Sequence, residues 1–354
     1  MYRVAVGGAT GNVGGEMIKV LEQRHFPVAK FTPLASSAST GKHVQFNGER
    51  YPVRDMANAD FSEFDLLLLS TGSANSKAIS PLAASAGCVV IDNSSAFRMD
   101  PDAPLVVPEV NAEQLAGWTR KKILPVANCS TIQLVVALKP LHDAARIKRI
   151  VVSTYQSASG GGRAMLERLT GPWDPAGIDV RSLVKHAKAS LDAGEDKPIT
   201  FNVVPHIDTF MEDGRTREEW KMEVETQKIF GSPIPVAATC ARVSTFVCHT
   251  EAISIELEQP LAAADARQLL SAAPGVRVVD ERVAGGYATP LDAMGTDDVF
   301  VSRIRRDHTV ENGLQIWVVA DNIRKGAALN AVQIAECLVD REDFAKHRQA
   351  RLAR

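Results

Sequence analysis

The sequence predicts an α/β protein of two domains, the first built on a parallel sheet and the second on a mostly antiparallel one. The chain has 354 residues, whereas a single domain usually has about 100–200. Apolar strand-like runs alternate with helical patterns up to about residue 140, which is typical of a parallel sheet with crossover helices. Beyond residue 146, strand-like runs dominate, as they do in an α+β domain.

The first region predicts strands and helices largely in alternation. The strands lie at residues 3–7, 28–34, 65–71 and 88–92, and the helices lie at 12–23 and 75–86. Strands as uniformly apolar as DLLLLST and CVVID fit a sheet that is covered on both faces. Asn47 and Gly48 lie between extended flanks, so residues 45–53 predict a small hairpin attached to this sheet.

The second region predicts a separate sheet. Strand-like runs lie at residues 148–157, 243–248, 252–258, 299–304 and 315–319, with a glycine-rich break at 160–162 and an irregular stretch at 171–205. The last helical segment, 325–339, carries an apolar face formed by Ala328, Ala331, Val332, Ala335 and Leu338. We expect this segment to return to the first domain. The predicted domains are residues 1–127 together with 325–354, and residues 128–324.

Composition and charge argue against several classes of protein. Hydrophobic residues make up 45% of the chain and charged residues 23%, as in a folded globular protein. A net charge of -2 provides no general field for nucleic acid or an anionic membrane. No apolar stretch approaches the ~20 residues of a membrane helix, and no signal peptide precedes the first strand, so we expect a cytoplasmic protein.

The cysteines and histidines fit neither a disulfide framework nor a metal site. The five cysteines form an odd number without a CxxC pair, and the eight histidines are scattered singly. We therefore expect reduced thiols, most of them packing residues, and no bound metal.

A glycine-rich turn joins the first strand to the first helix. Gly8, Gly11 and Gly14 permit a tight turn and let backbone N–H groups approach a pyrophosphate at the positive end of the helix. The spacing is G-x-x-G-x-x-G rather than G-x-G-x-x-G, and a tight turn that binds nothing is the alternative. In its strand, turn and helix context, the motif predicts a Rossmann-type dinucleotide-binding domain.

The loop after the second strand indicates which dinucleotide binds. NAD-specific sites usually carry an acidic residue there, ~20 residues beyond the glycine turn, which holds the ribose hydroxyls. Residues 31–42 contain no acid but offer Ser36, Ser37, Ser39 and Lys42, which could accept a 2′-phosphate. The sequence favours NADP over NAD, although a serine-rich loop without a ligand explains the pattern equally well.

Cys129 lies where a short apolar strand meets a helix. Asn128 before it and the hydroxyl residues after it are typical helix-capping residues. A helix from Cys129 to about Lys139, ended by Pro140, would direct its N–H groups at the sulfur and lower the pKa of the thiol from ~8.5. A lone cysteine is more often a core residue, but the polar neighbours and the dinucleotide turn favour a nucleophile.

A thiolate that acts beside a nicotinamide predicts thioester chemistry, in which hydride is exchanged at the acyl carbon. Such an enzyme also needs a general acid/base, usually histidine. His249 ends an apolar run in the second domain and is the best candidate of the eight histidines. A histidine at a strand end is more often structural, so this assignment needs support from other residues.

Together these motifs resemble those of the aspartate-semialdehyde dehydrogenase family. The matching segments follow one another along nearly the whole chain: residues 8–14 (GATGNVG), 92–98 (DNSSAFR), 106–111 (VVPEVN), 128–133 (NCSTIQ), 153–160 (STYQSASG), 218–221 (EEWK), 242–249 and 321–327 (DNIRKGA). The resemblance implies NADPH-dependent reductive dephosphorylation of L-aspartyl 4-phosphate to L-aspartate 4-semialdehyde and phosphate. This is a step from aspartate toward lysine, threonine, methionine and diaminopimelate.

The resemblance also implies roles for single residues. The nucleophile falls on Cys129, the acid/base on His249, and the residue that orients the acyl group on Gln156. Arg242 would bind the α-carboxylate of the substrate, and Glu218 would pair with its amino group. Without the family, Gln156 could be a plain sheet residue.

The phosphate, oxyanion and cofactor contacts are implied in the same way. Arg98 and Lys221 would bind phosphate, and N–H groups at the start of the Cys129 helix, with Asn128, would hold the oxyanion. Without the family, Arg98 could be a solvated charge, and Lys221 could form a surface ion pair with Glu218. The cofactor contacts fall on Gly8, Thr10, Gly11, Asn12, Val13, Ser36, Ser37, Ser39, Thr71, Gly72, Ser159, Gly160 and Asn322.

Two departures from the family pattern are visible. Ala38 stands where relatives often have an arginine, so the 2′-phosphate contact could shift to Ser36, Ser39 or Lys42. Ala127 replaces a frequent proline two residues before the cysteine, a change we expect to be tolerated.

Two alternative functions remain open. N-acetyl-γ-glutamyl-phosphate reductase has a similar fold and the same cysteine–histidine pair. The amino group of its substrate is blocked, however, so Glu218 would have no charged amino group to bind. A non-catalytic NADP-binding protein is the other alternative, against which the joint presence of Cys129, His249, Gln156 and Arg242 argues. The resemblance further implies a homodimer formed through the second domain, with small-molecule substrates and neither nucleic acid nor membrane as a partner.

Overall fold

The computed structural model describes residues 1–170 and 197–352, which belong to two compact units. The first unit comprises Met1–Val136, Val224–Pro233 and Ile323–Arg354, and the second comprises Ala137–Glu223 and Ile234–Asn322. Most of the stretch predicted to be irregular, 171–205, lies outside the described residues. Each unit is described by itself below.

The first unit is built on a six-stranded parallel sheet and a small hairpin. Its strands are β1 (Tyr2–Gly7), β2 (Val28–Ala35), β3 (His43–Phe46), β4 (Glu49–Pro52), β5 (Arg54–Asp55), β6 (Leu66–Leu69), β7 (Val89–Asp92) and β8 (Ile123–Pro125). The sheet order is β5-β2-β1-β6-β7-β8, and every pair in it is parallel. The side chains of β6 and β7 are completely buried, which confirms the predicted parallel sheet with both faces covered.

The second unit contains the predicted sheet of mostly antiparallel strands. Its strands are β9 (Ile147–Gln156), β10 (Val203–Val204), β11 (Val236–Val243), β12 (His249–Leu257), β13 (Val276–Val278), β14 (Val299–Asp307) and β15 (Gly313–Ala320). The sheet order is β10-β11-β9-β12-β15-β14-β13. Only the β9–β11 and β13–β14 pairs are parallel among these described strands.

The helices of the described residues are numbered along the chain. They are α1 (Asn12–Gln23), α2 (Ser73–Ser85), α3 (Pro108–Asn111), α4 (Cys129–Ala145), α5 (Gly162–Thr170), α6 (Arg217–Phe230), α7 (Ala263–Ala272), α8 (Pro290–Ala293), α9 (Leu329–Val339) and α10 (Glu342–Leu352). A π-helical turn, Arg324–Ala328, leads into α9. The division between the units falls inside α4 and inside α6.

The predicted hairpin is present, but it forms its own two-stranded sheet. Asn47 and Gly48 have positive φ angles of 49° and 79°, as a tight primed turn requires. Phe31 of β2 stacks on Phe46 of the hairpin, with 4.4 Å between ring centroids. The hairpin is therefore attached to the parallel sheet by side-chain packing, and its strands are not part of that sheet.

The expectation that Pro140 ends the helix of Cys129 was wrong. The helix α4 continues to Ala145, with Pro140 inside it. Proline removes one helical hydrogen bond, but Leu138 and Leu141 on either side of it are fully buried. The apolar contacts of this helix outweigh the loss of one backbone bond.

The expected strand at residues 243–248 was also wrong. The strand β11 ends at Val243, and the following loop runs to Cys248, which has a positive φ of 74°. The carbonyl groups of Thr245 and Phe246 in this loop accept the backbone N–H groups of Ala158 and Ser159. These apolar residues therefore shape a loop rather than a strand.

The last helical segment belongs to the first unit. The helix α9 packs against α1 and α3, and α10 continues the chain beyond it. Asp65 is almost completely buried and forms ion pairs with Arg3 and with Arg348 of α10. Within the described residues, no helix is long and apolar enough to cross a membrane.

Candidate functional site

The glycine turn after β1 has the geometry of a phosphate-binding loop. Gly8 has a φ of +76°, and a Cβ at this position would lie 2.1 Å from the Ser70 carbonyl oxygen. A Cβ at Gly14 would lie 2.1 Å from the Gly8 carbonyl oxygen. Gly11 is the N-cap of α1 and provides no capping side chain, so no N-cap side chain takes the first N–H groups of that helix, which are the groups that bind anions at helix N-termini.

The turn lies at the switch point of the parallel sheet. The chain leaves β1 toward β2 on one side and later returns to β6 on the other side of β1. In sheets of this kind, dinucleotides bind outside the carboxyl ends of the strands at this point. The predicted cofactor residues of the first unit lie in the loops that follow β1, β2 and β6: Gly8, Thr10, Gly11, Asn12, Val13, Ser36, Ser37, Ser39, Thr71 and Gly72.

Polar atoms at the same edge support a ligand site. Thr71 Oγ1 and Asn93 Nδ2 follow β6 and β7, are buried, and have no hydrogen-bond partner within the described residues. Ser39 is buried and lies 3.2 Å from Thr10 through their hydroxyl oxygens, whereas Ser36 is exposed. The donor set fits a dinucleotide. Sequence reasoning missed Asn93, for which its position directly after a buried strand was the available signal.

Cys129 begins α4, and Asn128 is its cap. The Asn128 side-chain oxygen accepts the backbone N–H groups of Ser130 and Thr131 at 3.0 and 3.3 Å. Asn128 thus uses two N–H groups that were expected to hold an oxyanion. Cys129 is partly exposed, whereas Cys240 and two other cysteines are buried.

Gly326 packs directly against the nucleophile candidate. A Cβ at Gly326 would lie 2.8 Å from Cys129 Cβ and 3.2 Å from its Cα. Gly326 belongs to the π-helical turn. Such turns are rare in proteins, and those that occur are often found at functional sites. Sequence reasoning assigned it no role, although it lies inside the segment DNIRKGA.

Arg98 is buried within the first unit and is held by three partners. Its Nε donates to the Val126 carbonyl oxygen at 2.8 Å, its Nη2 to the Asn93 carbonyl oxygen at 3.1 Å, and its Nη1 to Glu225 at 3.0 Å. Glu225 also accepts the backbone N–H of Asn128 at 2.6 Å. Arg98 is therefore a fixed cation, and the solvated charge considered as an alternative is excluded.

His249 begins β12 in the second unit and is completely buried. Its Nδ1 accepts the backbone N–H of Ser157 at 3.1 Å, so the proton of the neutral ring lies on Nε2. Within the described part of the chain, Nε2 has no hydrogen-bond partner. Burial and the positive charge of Arg242 lower the pKa of His249 to about 3.

A largely buried polar chain connects three other predicted residues of the second unit. Gln156, at the end of β9, donates through Nε2 to Glu218 at 3.2 Å, and Glu218 pairs with Lys221 at 3.1 Å. Lys221 also pairs with Asp208 at 2.6 Å. Burial opposes the charge of Lys221, but Glu218 and Asp208 outweigh it and raise the pKa of Lys221. The Glu218 side chain is buried and the Lys221 side chain is only 12% exposed, so this helix pair is not an exposed surface ion pair.

The side chains of Arg242 and His249 both approach Gly160. Arg242 donates through Nη1 to the Ser157 carbonyl oxygen at 2.7 Å. A Cβ at Gly160 would lie 3.0 Å from Arg242 Nη1 and 3.1 Å from His249 Cε1. The glycine at this position leaves room for both side chains, a reason that sequence reasoning did not identify.

Ser159 and Asn322, two further predicted cofactor residues, are used inside the second unit. The Asn322 side-chain oxygen accepts the Cys248 backbone N–H at 2.9 Å, and its Nδ2 donates to Ser159 Oγ at 3.0 Å. The same oxygen accepts the hydroxyl of Ser157, which also contacts His249 Nδ1. In this unit, Asn322 therefore fixes the loop that orients His249.

Each unit thus holds part of the predicted machinery. The first contains the partly exposed thiol of Cys129 at a helix start, the fixed cation of Arg98, and the sheet edge where a dinucleotide is expected to bind. The second contains the imidazole of His249, the guanidinium of Arg242, and a largely buried chain of amide, carboxylate and ammonium groups. Among the described residues, no group of three or more His, Cys, Asp or Glu side chains is arranged to hold a metal ion.

Comparisons with known proteins point to one family. Residues 3–118 match the family model described as semialdehyde dehydrogenase, NAD binding domain, and residues 138–325 match semialdehyde dehydrogenase, dimerisation domain. The aspartate-semialdehyde dehydrogenase of Aquifex aeolicus is 50% identical over 340 residues, which cover 96% of this chain and 98% of that protein.

Two solved structures are similar over nearly the whole chain. The crystal structure of aspartate semialdehyde dehydrogenase II from Vibrio cholerae, complexed with ASA, has a TM-score of 0.88 and 44% identity, and covers 97% of this chain and 99% of that one. The enzyme from Candida albicans with NADP has a TM-score of 0.71 and 25% identity, and covers 96% of this chain and 98% of that one. The chain therefore belongs to the aspartate-semialdehyde dehydrogenase family.

Proposed function

We propose that this chain catalyses the NADPH-dependent reductive dephosphorylation of L-aspartyl 4-phosphate to L-aspartate 4-semialdehyde and phosphate. The observation that carries the proposal is Cys129, partly exposed at the capped start of α4, in the unit that also holds the glycine turn. A thiolate can accept an acyl group from an acyl phosphate, which neither a structural cysteine nor a plain nucleotide-binding protein would do. The family membership supports the same assignment.

Cys129 is the proposed nucleophile. Its thiolate attacks the acyl carbon, a C–S bond forms, the C–O bond to phosphate breaks, and phosphate leaves. NADPH, when bound at the edge of the parallel sheet, supplies the hydride that reduces such a thioester. His249, protonated once bound substrate has raised its pKa, donates a proton from Nε2 to the oxygen of the reduced adduct. It takes the proton back as the C–S bond breaks, which releases the semialdehyde and restores the Cys129 thiolate.

In this proposal, charged residues bind the two ends of the substrate: one set binds the amino-acid end and the other binds the phosphate. Arg242 pairs with the α-carboxylate, Glu218 with the α-amino group, and Arg98 and Lys221 with the phosphate. Gln156, bonded to Glu218 in the second unit, orients the acyl group. These roles follow from charge complementarity and from the family resemblance.

The cofactor is proposed to be NADP. Its pyrophosphate would meet the N-terminus of α1 beside Gly11, and its 2′-phosphate would meet Ser36, Ser37 and Lys42, all of which are exposed. No acidic residue follows β2 up to Lys42, so nothing in this loop repels a 2′-phosphate.

We further propose a homodimer formed through the second unit. A cavity of about 570 Å³ lies on the face of its sheet, lined in part by Val151, Ala252 and Trp317. Val151 is an exposed apolar residue on a central strand, and exposed apolar surface of this kind marks interaction sites. We also propose the domain boundaries predicted from the sequence, which are residues 1–127 with 325–354 and residues 128–324. A cytoplasmic location is part of the same proposal.

The proposal is tested by the reaction in reverse. The purified protein is given L-aspartate 4-semialdehyde, phosphate and NADP, and absorbance of the reduced nicotinamide is followed. We expect activity that requires phosphate and that falls by at least about 10³-fold in Cys129→Ala, whereas Cys337→Ala serves as a matched control and keeps it. A folded wild-type protein that binds NADP but shows no activity contradicts the proposal, and activity with N-acetylglutamate semialdehyde instead would support the reductase alternative.

A further inference from the structure

The second half of α6 connects the phosphate candidate Arg98 to the start of the nucleophile helix. Glu225 Oε1 accepts from Arg98 Nη1 at 3.0 Å, and Glu225 Oε2 accepts from the backbone N–H of Asn128 at 2.6 Å. All three residues belong to the first unit. A single carboxylate therefore joins the cation to the residue that precedes Cys129.

The two side chains of this ion pair are almost completely buried. The Glu225 side chain is 1% exposed and the Arg98 side chain 10% exposed. A carboxylate removed from water in this way depends on its partners, and the loss of one partner is strongly unfavourable. We therefore expect Arg98 and Glu225 to hold each other in place.

The same helix also holds the backbone around Arg98. Lys228, one turn beyond Glu225, donates to the carbonyl oxygens of Arg98, Asp100 and Ala103 at 2.7, 2.7 and 2.9 Å. Both the main chain and the side chain of Arg98 are thus fixed by α6. Three of the five N–H groups of Arg98 are used by protein partners within the described residues, and two are left for an anion.

We propose that Glu225 is a positioning residue of the phosphate site, which holds Arg98 at a set distance from the N-terminus of α4. The inference rests on the proposed function, because it is that function which makes Arg98 a phosphate ligand. Glu225 does not contact substrate in this scheme. It acts through Arg98 and through the backbone of Asn128.

The test is the substitution Glu225→Gln, probed with inorganic phosphate. Glutamine has the same size, but its NH2 group must face a donor, either Arg98 Nη1 or the Asn128 N–H, so one bond is lost. Protection of Cys129 by phosphate against alkylation with iodoacetamide is measured by mass spectrometry of the Cys129 peptide. We expect the half-protecting phosphate concentration, and KM for phosphate in the oxidation assay, to rise about tenfold, while KM for NADP changes less than about twofold.

Two further variants keep the test decisive. Glu223→Gln on the same helix removes a surface ion pair with Arg215 and should change neither phosphate value. If Glu225→Gln does not unfold cooperatively, Glu225→Asp replaces it, because aspartate keeps the charge but shortens the reach, and a smaller rise is expected.

The outcomes separate this inference from the proposed function. An active wild-type enzyme with the same phosphate protection in wild type and Glu225→Gln overturns the positioning role, even if the variant unfolds at a lower temperature. A wild-type protein without the proposed activity, whose phosphate protection still weakens in Glu225→Gln, overturns the function and leaves the positioning role supported.

Discussion

At the scale of single residues, the environment of His249 determines which proton it can give. The Ser157 N–H occupies Nδ1, so the neutral ring carries its proton on Nε2, the atom without a partner within the described residues. Burial and the charge of Arg242 lower the pKa of the ring to about 3. A carboxylate bound to Arg242 would offset that charge, and we therefore expect substrate to raise the pKa of His249 toward the range where it can act as an acid.

The lowered pKa of His249 predicts an acid-sensitive contribution to stability. The pKa of the imidazole is about 6.5 when unperturbed and about 3 in the folded chain. Between these pH values the unfolded chain binds a proton that the folded chain does not. The free energy of unfolding therefore falls as the pH falls through this interval. Relative to His249→Asn, the free energy of unfolding of the wild type should drop by about 2 kcal/mol between pH 7 and pH 5. Urea unfolding at both pH values measures the difference, and equal drops in the two proteins would contradict a buried neutral imidazole.

Gly160 gives a second prediction at this scale. An alanine Cβ would press on Arg242 and on the His249 ring, and displacement of either group by a fraction of an ångström misaligns it. We expect Gly160→Ala to lower kcat/KM for the semialdehyde by about 10²-fold with little change in Tm. Gly117→Ala, where an added Cβ meets no atom within 4 Å, is the matched control. Equal activity of the two variants would show that the space beside His249 is not needed.

At the scale of elements, a buried ion pair fixes the turn before α9. The Lys325 Nζ is completely buried and donates to Glu109 of α3 at 2.6 Å, to Gln333 at 2.7 Å and to Asn330 at 3.1 Å. Burial opposes the charge of Glu109, but Lys325 outweighs it and lowers the pKa of Glu109. The next residue, Gly326, packs on Cys129, so the pair fixes the chain directly beside the proposed nucleophile.

Breaking this pair should be costly. We expect Lys325→Met to lower the free energy of unfolding by about 3–5 kcal/mol, because it leaves Glu109 charged and buried without a cation. The double variant Lys325→Met with Glu109→Gln should recover part of the loss, since the uncompensated charge is removed. Urea unfolding of both variants measures this, and a double variant no more stable than the single one would show that the loss does not come from the charge of Glu109.

At the scale of the whole molecule, the sheet face of the second unit predicts the oligomeric state. Val151 is 38% exposed on the central strand β9, and it pairs in register with Ser254 of β12. An arginine at Val151 would place a charge in the middle of the proposed contact, where it would be desolvated without a partner. We expect Val151→Arg to halve the molar mass measured by light scattering.

The control for this variant is Leu82→Arg, which changes an equally apolar and more exposed residue in α2 of the first unit and should leave the molar mass unchanged. A wild-type protein with the molar mass of a single chain would contradict the proposed dimer. A Val151→Arg protein that keeps twice that mass would place the contact elsewhere.

The elements that could be predicted from the amino-acid sequence are those whose patterns are local. The apolar runs at β6 and β7, the glycines at 8 and 14 and the Asn47-Gly48 turn each favour a particular local structure, so they predicted the parallel sheet, the tight turn and the hairpin. The capping role of Asn128 is equally local. The motifs around Cys129 and His249 identified the family because their order along the chain is specific.

Features that depend on distant partners could not be predicted from local patterns and became visible in the folded chain. Pro140 lies inside a helix because buried neighbours on both sides hold it there. Residues 244–248 form a loop because the backbone of residues 158–159 binds them. Arg98 is a fixed cation because Glu225, 127 residues away in sequence, pairs with it. A contact of that separation leaves no periodic or local trace in the sequence, so the positions of Glu225, Gly160 and Gly326 against the candidate residues came from the fold alone.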